Sequence, residues 1–370
     1  MARLGDYTYI KTGKLDANAS SDNGIYPFFT CSKESLLIDT YSYDCECVLV
    51  AGNGDLNIKY YSGKFDAYQR TYIIESNNKE KLFVRYLYYF LDKYVETLRE
   101  QSIGGVIKYI KLGNLTEAHI PLPPLDKQRK IAAALDKVSD LISKRRQQLD
   151  MLDELVKSRF VEIFGDPMTN PHNLPKVMLG SVLTIEPQNG LYKPQSDYVS
   201  DGTGVPILRI DSFYDGKVSN LSSLKRLICS EIELKRYSLY ENDIVINRVN
   251  SIEYLGKCGL IQGLVENTVF ESNMMRLHVD EHKFHPVYIT KLLCSEFIYQ
   301  QILKRAKKAV NQASINQKDV QSFVVYMPPI EQQDQFAAFV AQTDKSKLAI
   351  QKSLEKLKIL KKALMQEYFG

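Results

Sequence analysis

The stretch "INRVNS" (246–251) sets Arg248, Asn250 and Ser251 at the end of an apolar run, "DIVINRV", with the length and branching of a strand. Arginine can hold guanine through two hydrogen bonds, and asparagine can hold adenine the same way. This loop is therefore a candidate base reader. Further on, "LKRAKKAVNQ" supplies Lys304, Arg305, Lys307 and Lys308, cations suited to neutralising phosphates without reading sequence. Lys108 and Lys111 occupy the related earlier segment, beside Gly104 and Gly105. An ordinary solvated face also accounts for each cluster taken singly.

Other chemistries fit less well. Adenine methylation would need Asp or Asn before Pro-Pro and then an aromatic, because a carboxylate or amide oxygen must accept from the amino group; the flanks here read "LPPL" and "MPPI". Gly52-Asn53-Gly54 is a single GxG and reads as a turn, and no GxxxxGK[ST] is present. Asp211 with "DGK" at Asp215 to Lys217 would suit a metal nuclease only if the two acids came from facing strands. An Asp-Gly turn explains them better. The six cysteines form no CxxC pair and the five histidines are scattered, so reduced, small apolar cysteines are expected and no metal site. A net charge of +4 neither requires nor excludes nucleic acid. No apolar stretch approaches the roughly 20 residues that cross a bilayer, and "MARLGDYTYIKTGKL" lacks a secretory core; a cytoplasmic protein is expected.

The chain repeats itself. "LPPLDKQRKIAAALDKV" from Leu122 returns as "MPPIEQQDQFAAFVAQT" from Met327, an offset of 205 positions (328 − 123 for the first prolines). The offset holds without a gap to Phe164-Gly165 and Phe369-Gly370, and backwards through Ile110 and Ile315. Near the two starts, "LGDYTYI" at Leu4 and "LGSVLTI" at Leu179 differ by 175 (179 − 4), so the second unit carries 30 more residues (205 − 175).

After each Pro-Pro an acid, Asp126 or Glu331, opens a long helical pattern, where a carboxylate meets exposed amides. One seam runs Ile131, Leu135, Val138, Ile142, Arg145, Leu149, Leu152, Val156, Arg159, Ile163. The other runs Phe336, Val340, Thr343, Lys347, Ile350, Leu354, Leu357, Lys361, Leu364, Tyr368. Each seam is interrupted by charge, so the helices are expected to pack against each other. At 1.5 Å per residue, about 40 residues make a rod of about 60 Å, a spacer. The preceding modules look mixed, with strands at "CVLVAG", "TYIIES", "PILRID", "DIVINRV" and "MMRLHV". A late helix follows in each, near "LFVRYLYYFLDKYVETL" and near "VYITKLLCSEFIYQQILKR". The expected layout is an α+β chain with a pseudo-twofold internal repeat: module 1–122, helix 123–165, linker 166–178, module 179–327 and helix 328–370.

Taken together, these features resemble the specificity subunits of type I restriction–modification systems over essentially the whole chain. The phrases that carry the resemblance are "IPLPPLDKQRKIAAALD", "VEIFGDP", "YMPPIEQQDQF", "DIVINRVNSIEYLGKCGLI", "YPFFTCS" and "FDAYQRTYII". The glutamine usual early in the family's helix stands here as Gln128 and Gln333. In that family two mixed α/β target-recognition domains alternate with two conserved long helices packed as an antiparallel coiled coil. The resemblance implies a non-catalytic reader of double-stranded DNA. Each domain would bind half of a bipartite, asymmetric target, and the helices would set the spacer and dock two methyltransferase subunits. No cofactor is implied on this chain. S-adenosylmethionine would sit on those partners, with motor-nuclease subunits joining for restriction, and no membrane is involved. The residues it singles out for DNA are Arg248, Asn250, Ser251 and Lys257 in the second domain and Gly52, Asn53, Tyr68, Gln69 and Arg70 in the first. Arg209, in "PILRID", joins them. Two other readings stay open at this point: a stand-alone nuclease or methyltransferase, active without partners, and a coiled-coil adaptor with no affinity for duplex.

Overall fold

The computed structural model describes residues 1–370 except Asp215, Ser219 and Asn220, with only the backbone of Tyr214. The Asp215 half of the Asp-Gly turn reading therefore lies outside the described residues. The chain divides into two compact units, one formed by 1–149 with 349–370 and one by 150–348. Each unit holds one module and a stretch of both long helices, Leu125–Phe164 and Ile330–Phe369.

In the first unit, six strands form one sheet in the order Thr8–Thr12, Thr71–Ser76, Tyr43–Ala51, Ile58–Ala67, Tyr26–Phe29, Leu36–Ile38. The strand Tyr43–Ala51 pairs on both sides and is buried from Cys47 onward, which is why it reads as an unbroken apolar run. The helix Val84–Gln101 places Val84, Leu87, Leu91, Val95 and Leu98 at spacings of three and four in the core. Its buried tyrosines Tyr86 and Tyr89 are core, as their helical spacing suggests.

In the second unit a six-stranded sheet runs Gln188–Asn189, Met274–Leu277, Ile244–Asn247, Cys258–Leu260, Gly216–Val218, Phe213–Tyr214. A four-stranded sheet of Tyr198–Val199, Lys225–Leu227, Val205–Leu208 and Val269–Phe270 stands beside it, with no separate counterpart in the first unit. The late helix expected from the sequence is two, Pro286–Leu293 and Glu296–Arg305. The break lies at Cys294-Ser295, where Ser295 turns extended and its hydroxyl donates to the Leu292 carbonyl at 2.6 Å. A serine offering its own bond to a nearby carbonyl competes with helix continuation. Lys176–Met178, expected as linker, is a strand paired with Val324–Tyr326.

The repeat seen in the sequence recurs bond for bond. Leu4 N–H donates to the Ala118 carbonyl at 2.8 Å, and Leu179 N–H donates to that of Phe323 at 2.8 Å. Arg3 pairs with His119, and Met178 pairs with Val324. Tyr86 Oη donates to the Pro121 carbonyl at 2.9 Å, and Tyr288 Oη to that of Tyr326 at 3.0 Å. Tyr288→Phe removes one buried bond without changing packing volume and is expected to cost about 1 kcal/mol, read as a lower urea midpoint.

Within each unit the two helix stretches run antiparallel. In the first, Ile131, Ala132 and Leu135 share a core with Met365 and Phe369, and in the second, Val156, Phe160 and Phe164 share one with Phe336 and Val340. The doubled "FG" ending has the same use both times. Phe369 lies 5.1 Å from the Tyr86 ring, Phe164 lies 4.6 Å from the Tyr288 ring, and Gly165 and Gly370 close the helices at φ +79° and +91°. The polar seam residues find partners nearby. Lys361 lies 3.7 Å from Asp92 on the first module's helix, Thr343 bonds the Phe339 carbonyl at 2.9 Å, and Lys347 pairs with Asp153. Lys347 is only 8% exposed while the Asp153 side chain is 61% exposed, so the lysine loses hydration that its half-solvated partner only partly repays. Lys347→Met is expected to leave stability unchanged or raise it by up to about 1 kcal/mol, seen in the urea midpoint.

Candidate nucleic-acid interface

In the first unit three loops meet at the end of the strand Tyr43–Ala51. Gly52 N–H donates to the Arg70 carbonyl at 2.8 Å, and the Gly52 carbonyl accepts from Ile110 N–H at 2.9 Å. Gly54, at φ +69°, donates to the Lys108 carbonyl at 2.9 Å, and Asn53 is bridged to Tyr109. A Cβ on Gly52 would stand 2.4 Å from the Arg70 oxygen, so only glycine fits where the 68–70 turn crosses the strand end. In that turn Tyr68 N–H is tied to the Phe29 carbonyl at 2.9 Å, Gln69 holds Asp16 through its amide at 2.9 Å, and Arg70 is exposed without an ion pair among the described residues. Residues 103–109 form a hairpin closed by reciprocal bonds between Ile103 and Tyr109 at 3.0 and 2.8 Å, with Lys108 exposed on it. Lys111, also exposed, starts the short helix Leu112–Thr116. Beside these loops Lys59 bonds the Ser32 carbonyl at 2.6 Å, and burial pushes its ammonium below the usual lysine range.

The second unit builds the same junction with different residues. At the end of the strand Ile244–Asn247, the Arg248 carbonyl accepts from Ile315 N–H at 3.0 Å, as Gly52 accepts from Ile110. Val249–Asn250 pairs with Ala313–Ser314, which pairs in turn with Lys307–Lys308, giving a three-stranded ribbon. Val249 opposite Ser314 thus repeats Asn53 opposite Tyr109, and Arg248 stands where the first module has Gly52. The arginine is half-buried; its Nη1 donates to the Ser272 carbonyl at 3.0 Å, and its Nε has no hydrogen-bond partner among the described residues. Asn250 accepts Ser251 N–H on its own side-chain oxygen at 2.8 Å, and Ser251 opens the turn 252–254. Glu253 there is held below the ordinary carboxylate range by its own amide and the Ser251 hydroxyl. Lys257 lies 4.5 Å over the Tyr254 ring.

The cations proposed from sequence separate into two groups. Lys307 and Lys308 are exposed on the ribbon, and Lys304 is exposed on the preceding helix. Arg305, by contrast, is spent inside the fold, donating to Ser322 Oγ at 2.8 Å and to the Gln301 and Ser322 carbonyls at 3.0 and 3.3 Å. Arg209 directly follows the strand Val205–Leu208 of the four-stranded sheet, 3.9 Å from Glu271, the residue before the Ser272-Asn273 turn, and 4.0 Å from Asp211. Burial lifts the Glu271 carboxyl above its ordinary value, and Ile210 N–H donates to it at 2.7 Å. The sequence reading missed the buttress 272–273, whose carbonyls hold Arg248, and missed that Gly52 and Arg248 are equivalent. The matched Ile110 and Ile315 were the available signal, since each bonds the residue in question. Among the described residues, no three His, Cys, Asp or Glu side chains converge as a metal site, and no helix is long and apolar enough to cross a membrane.

The fold and its two loop junctions define a duplicated α+β chain in which one frame carries two unlike polar loop clusters. This chain belongs to the family of type I restriction–modification DNA specificity domains, whose model matches residues 1–151 and again residues 171–360. It is 38% identical over 154 residues to the EcoDI specificity subunit of Escherichia coli, a match covering 42% of this chain and 34% of that protein. To the EcoKI specificity subunit of Escherichia coli K12 it is 28% identical over 263 residues, covering 67% and 55%. To the putative MjaX specificity subunit of Methanocaldococcus jannaschii it is 32% identical over 185 residues, covering 49% and 42%. The chain thus spans about a third to just over half the length of these relatives. A type I S subunit from M. genitalium shares the fold, with a TM-score of 0.64 at 15% identity over 100% of this chain and 95% of that one. A chain from a study of type I complex assembly and conformational transition gives a TM-score of 0.51 at 17% identity, over 100% and 96%.

Proposed function

We propose that this chain is the sequence-reading subunit of a type I restriction–modification complex and is not itself a catalyst. Each module reads one half of a bipartite, asymmetric target in double-stranded DNA. The long helices set the spacer and dock two methyltransferase subunits, which carry S-adenosylmethionine and methylate adenine; motor-nuclease subunits join for restriction. The observation that carries this reading is the shared junction with unlike contents. The Ile110–Gly52 and Ile315–Arg248 bonds repeat one geometry, while glycine in one module and arginine in the other change what is presented. Exposed apolar side chains away from the seams, Met151, Leu155 and Leu348 in the second unit and Ile359 and Leu360 in the first, suit helix faces that a partner covers. The test is to co-express the chain with the methyltransferase encoded beside it and map methylated adenines genome-wide. A two-part motif with a fixed gap is expected. A continuous motif, or methylation indifferent to the presence of this chain, would overturn the proposal.

A further inference from the structure

We propose that the tips of the two hairpins, residues 104–108 and 309–312, enter the major groove, and that Val106 and Val310 each read a thymine through its methyl group. This rests on the DNA-recognition reading above and adds two specificity-determining residues to it. Val106 is fully exposed and Val310 is 98% exposed, although each sits on a short paired hairpin rather than a free end. Neither covers any part of its own core. The two tips differ in sequence, "GGVIK" against "AVNQ", and still both raise a valine to the solvent at the crest.

The hairpins are fixed to the loops already described. Tyr109 and Ser314, one at the base of each, pair with Asn53 and Val249 beside Gly52 and Arg248. Ala309 N–H donates to the Gln312 carbonyl at 2.7 Å, which closes the second tip, and Gly104 at φ +119° lets the first one turn. Exposed lysines sit on one arm of each hairpin, Lys108 in one module and Lys307 and Lys308 in the other, placed to meet phosphates along one edge of a groove. A two-stranded ribbon fits the major groove, about 12 Å wide, and not the minor groove at about 6 Å. In the major groove the apolar feature of a base pair is the thymine methyl group, the natural partner of an exposed valine.

The test uses the complex of the full chain with its methyltransferase and duplexes bearing the mapped target. Each thymine is replaced in turn by deoxyuridine, which removes only the methyl group. Each half contains at least the thymine opposite the methylated adenine. One position per half is expected to slow methylation about fourfold, as loss of one buried methyl predicts. Val310→Ser should erase that sensitivity in one half and Val106→Ser in the other, with melting temperatures unchanged because both side chains are exposed. If deoxyuridine has no effect at any position, or if both variants keep the wild-type pattern, the tips do not read bases although the two-part target stands. If the wild-type complex shows no two-part target, the recognition reading itself fails and this inference falls with it.

Discussion

Gln128→Ala is expected to destabilise the first unit by about 2–4 kcal/mol, because three part-buried backbone groups lose their partner together. The amide of Gln128, which is fully buried, donates to the Lys81 carbonyl at 2.7 Å and the Pro123 carbonyl at 2.8 Å, while its oxygen accepts Phe83 N–H at 2.9 Å. One side chain thereby ties the start of the long helix to the Pro-Pro segment before it and to the start of the module's helix. Gln333, likewise fully buried, does the same in the second unit, donating to Lys283 and Pro328 at 3.0 and 2.9 Å and accepting His285 N–H at 2.8 Å. Alanine removes the one side chain that satisfies all three part-buried groups at once. The measurement is hydrogen exchange of the amides around Phe83, with a urea melt of the whole chain. Gln128→Glu keeps the volume but turns an acceptor toward two carbonyls. At neutral pH it should be at least as damaging. Burial would raise the folded-state pKa of that carboxyl, so its penalty is present above that pKa and shrinks as pH falls through it. A Gln128→Ala protein as stable as wild type would mean that the modules are held to the helices by apolar packing alone.

This weld also shows what the sequence could and could not reveal. Gln128 and Gln333 stand out because the 205-residue offset preserves them, and the offset is legible wherever a constant frame must make the same contact twice. Phe164 and Phe369 are visible for that reason, since each fills the same place against a tyrosine. The short match between Leu4 and Leu179 looked weak as letters. It marks identical hydrogen bonds to Ala118 and Phe323, which constrain the backbone and leave the side chains free to drift. Sheet order in the modules was not legible, because strands distant in sequence pair through backbone groups common to every residue. The four-stranded sheet of the second unit gave only the strand "PILRID" in advance; its other strands are two or three residues long.

The loop junction was half legible. "INRVNS" drew attention through residue type, whereas Gly52 looked like an ordinary turn. Their equivalence is carried by what their carbonyls accept, Ile110 N–H and Ile315 N–H, and no propensity encodes that. The cations were harder still. Lys307 and Arg305 are two residues apart and read alike, yet the helix ends at Arg305 and its side chain folds back on the last turn and on Ser322. Charge in a sequence says nothing of whether a carbonyl cluster lies within reach.

Arg248→Ala is expected to relax discrimination at one position in one half of the target and leave the other half intact. A good arginine–guanine contact is worth about 1–3 kcal/mol of discrimination, roughly 5- to 150-fold against the wrong base. The Ser272 carbonyl holds Nη1 at 3.0 Å and the backbone is tied on both sides, by Arg248 N–H to Asn273 and by its carbonyl to Ile315. The guanidinium plane is thus set before any DNA arrives, and Nη2 has no hydrogen bond within the described residues. The first module cannot copy this device, because a side chain at Gly52 would collide with the Arg70 carbonyl. On the proposed reading its half of the target would be read from Asn53, the 68–70 turn and the hairpin, so the two halves are expected to differ in sequence. Methylation mapping of the Arg248→Ala complex should show one half degenerate at a single position and the other unchanged. Losing the Ser272 bond should cost the free protein only about 1 kcal/mol, small enough for the fold to survive. Equal loss at both halves, with a lower melting temperature, would make Arg248 a brace for the 272–273 turn, and base reading would then belong to other residues of the junction.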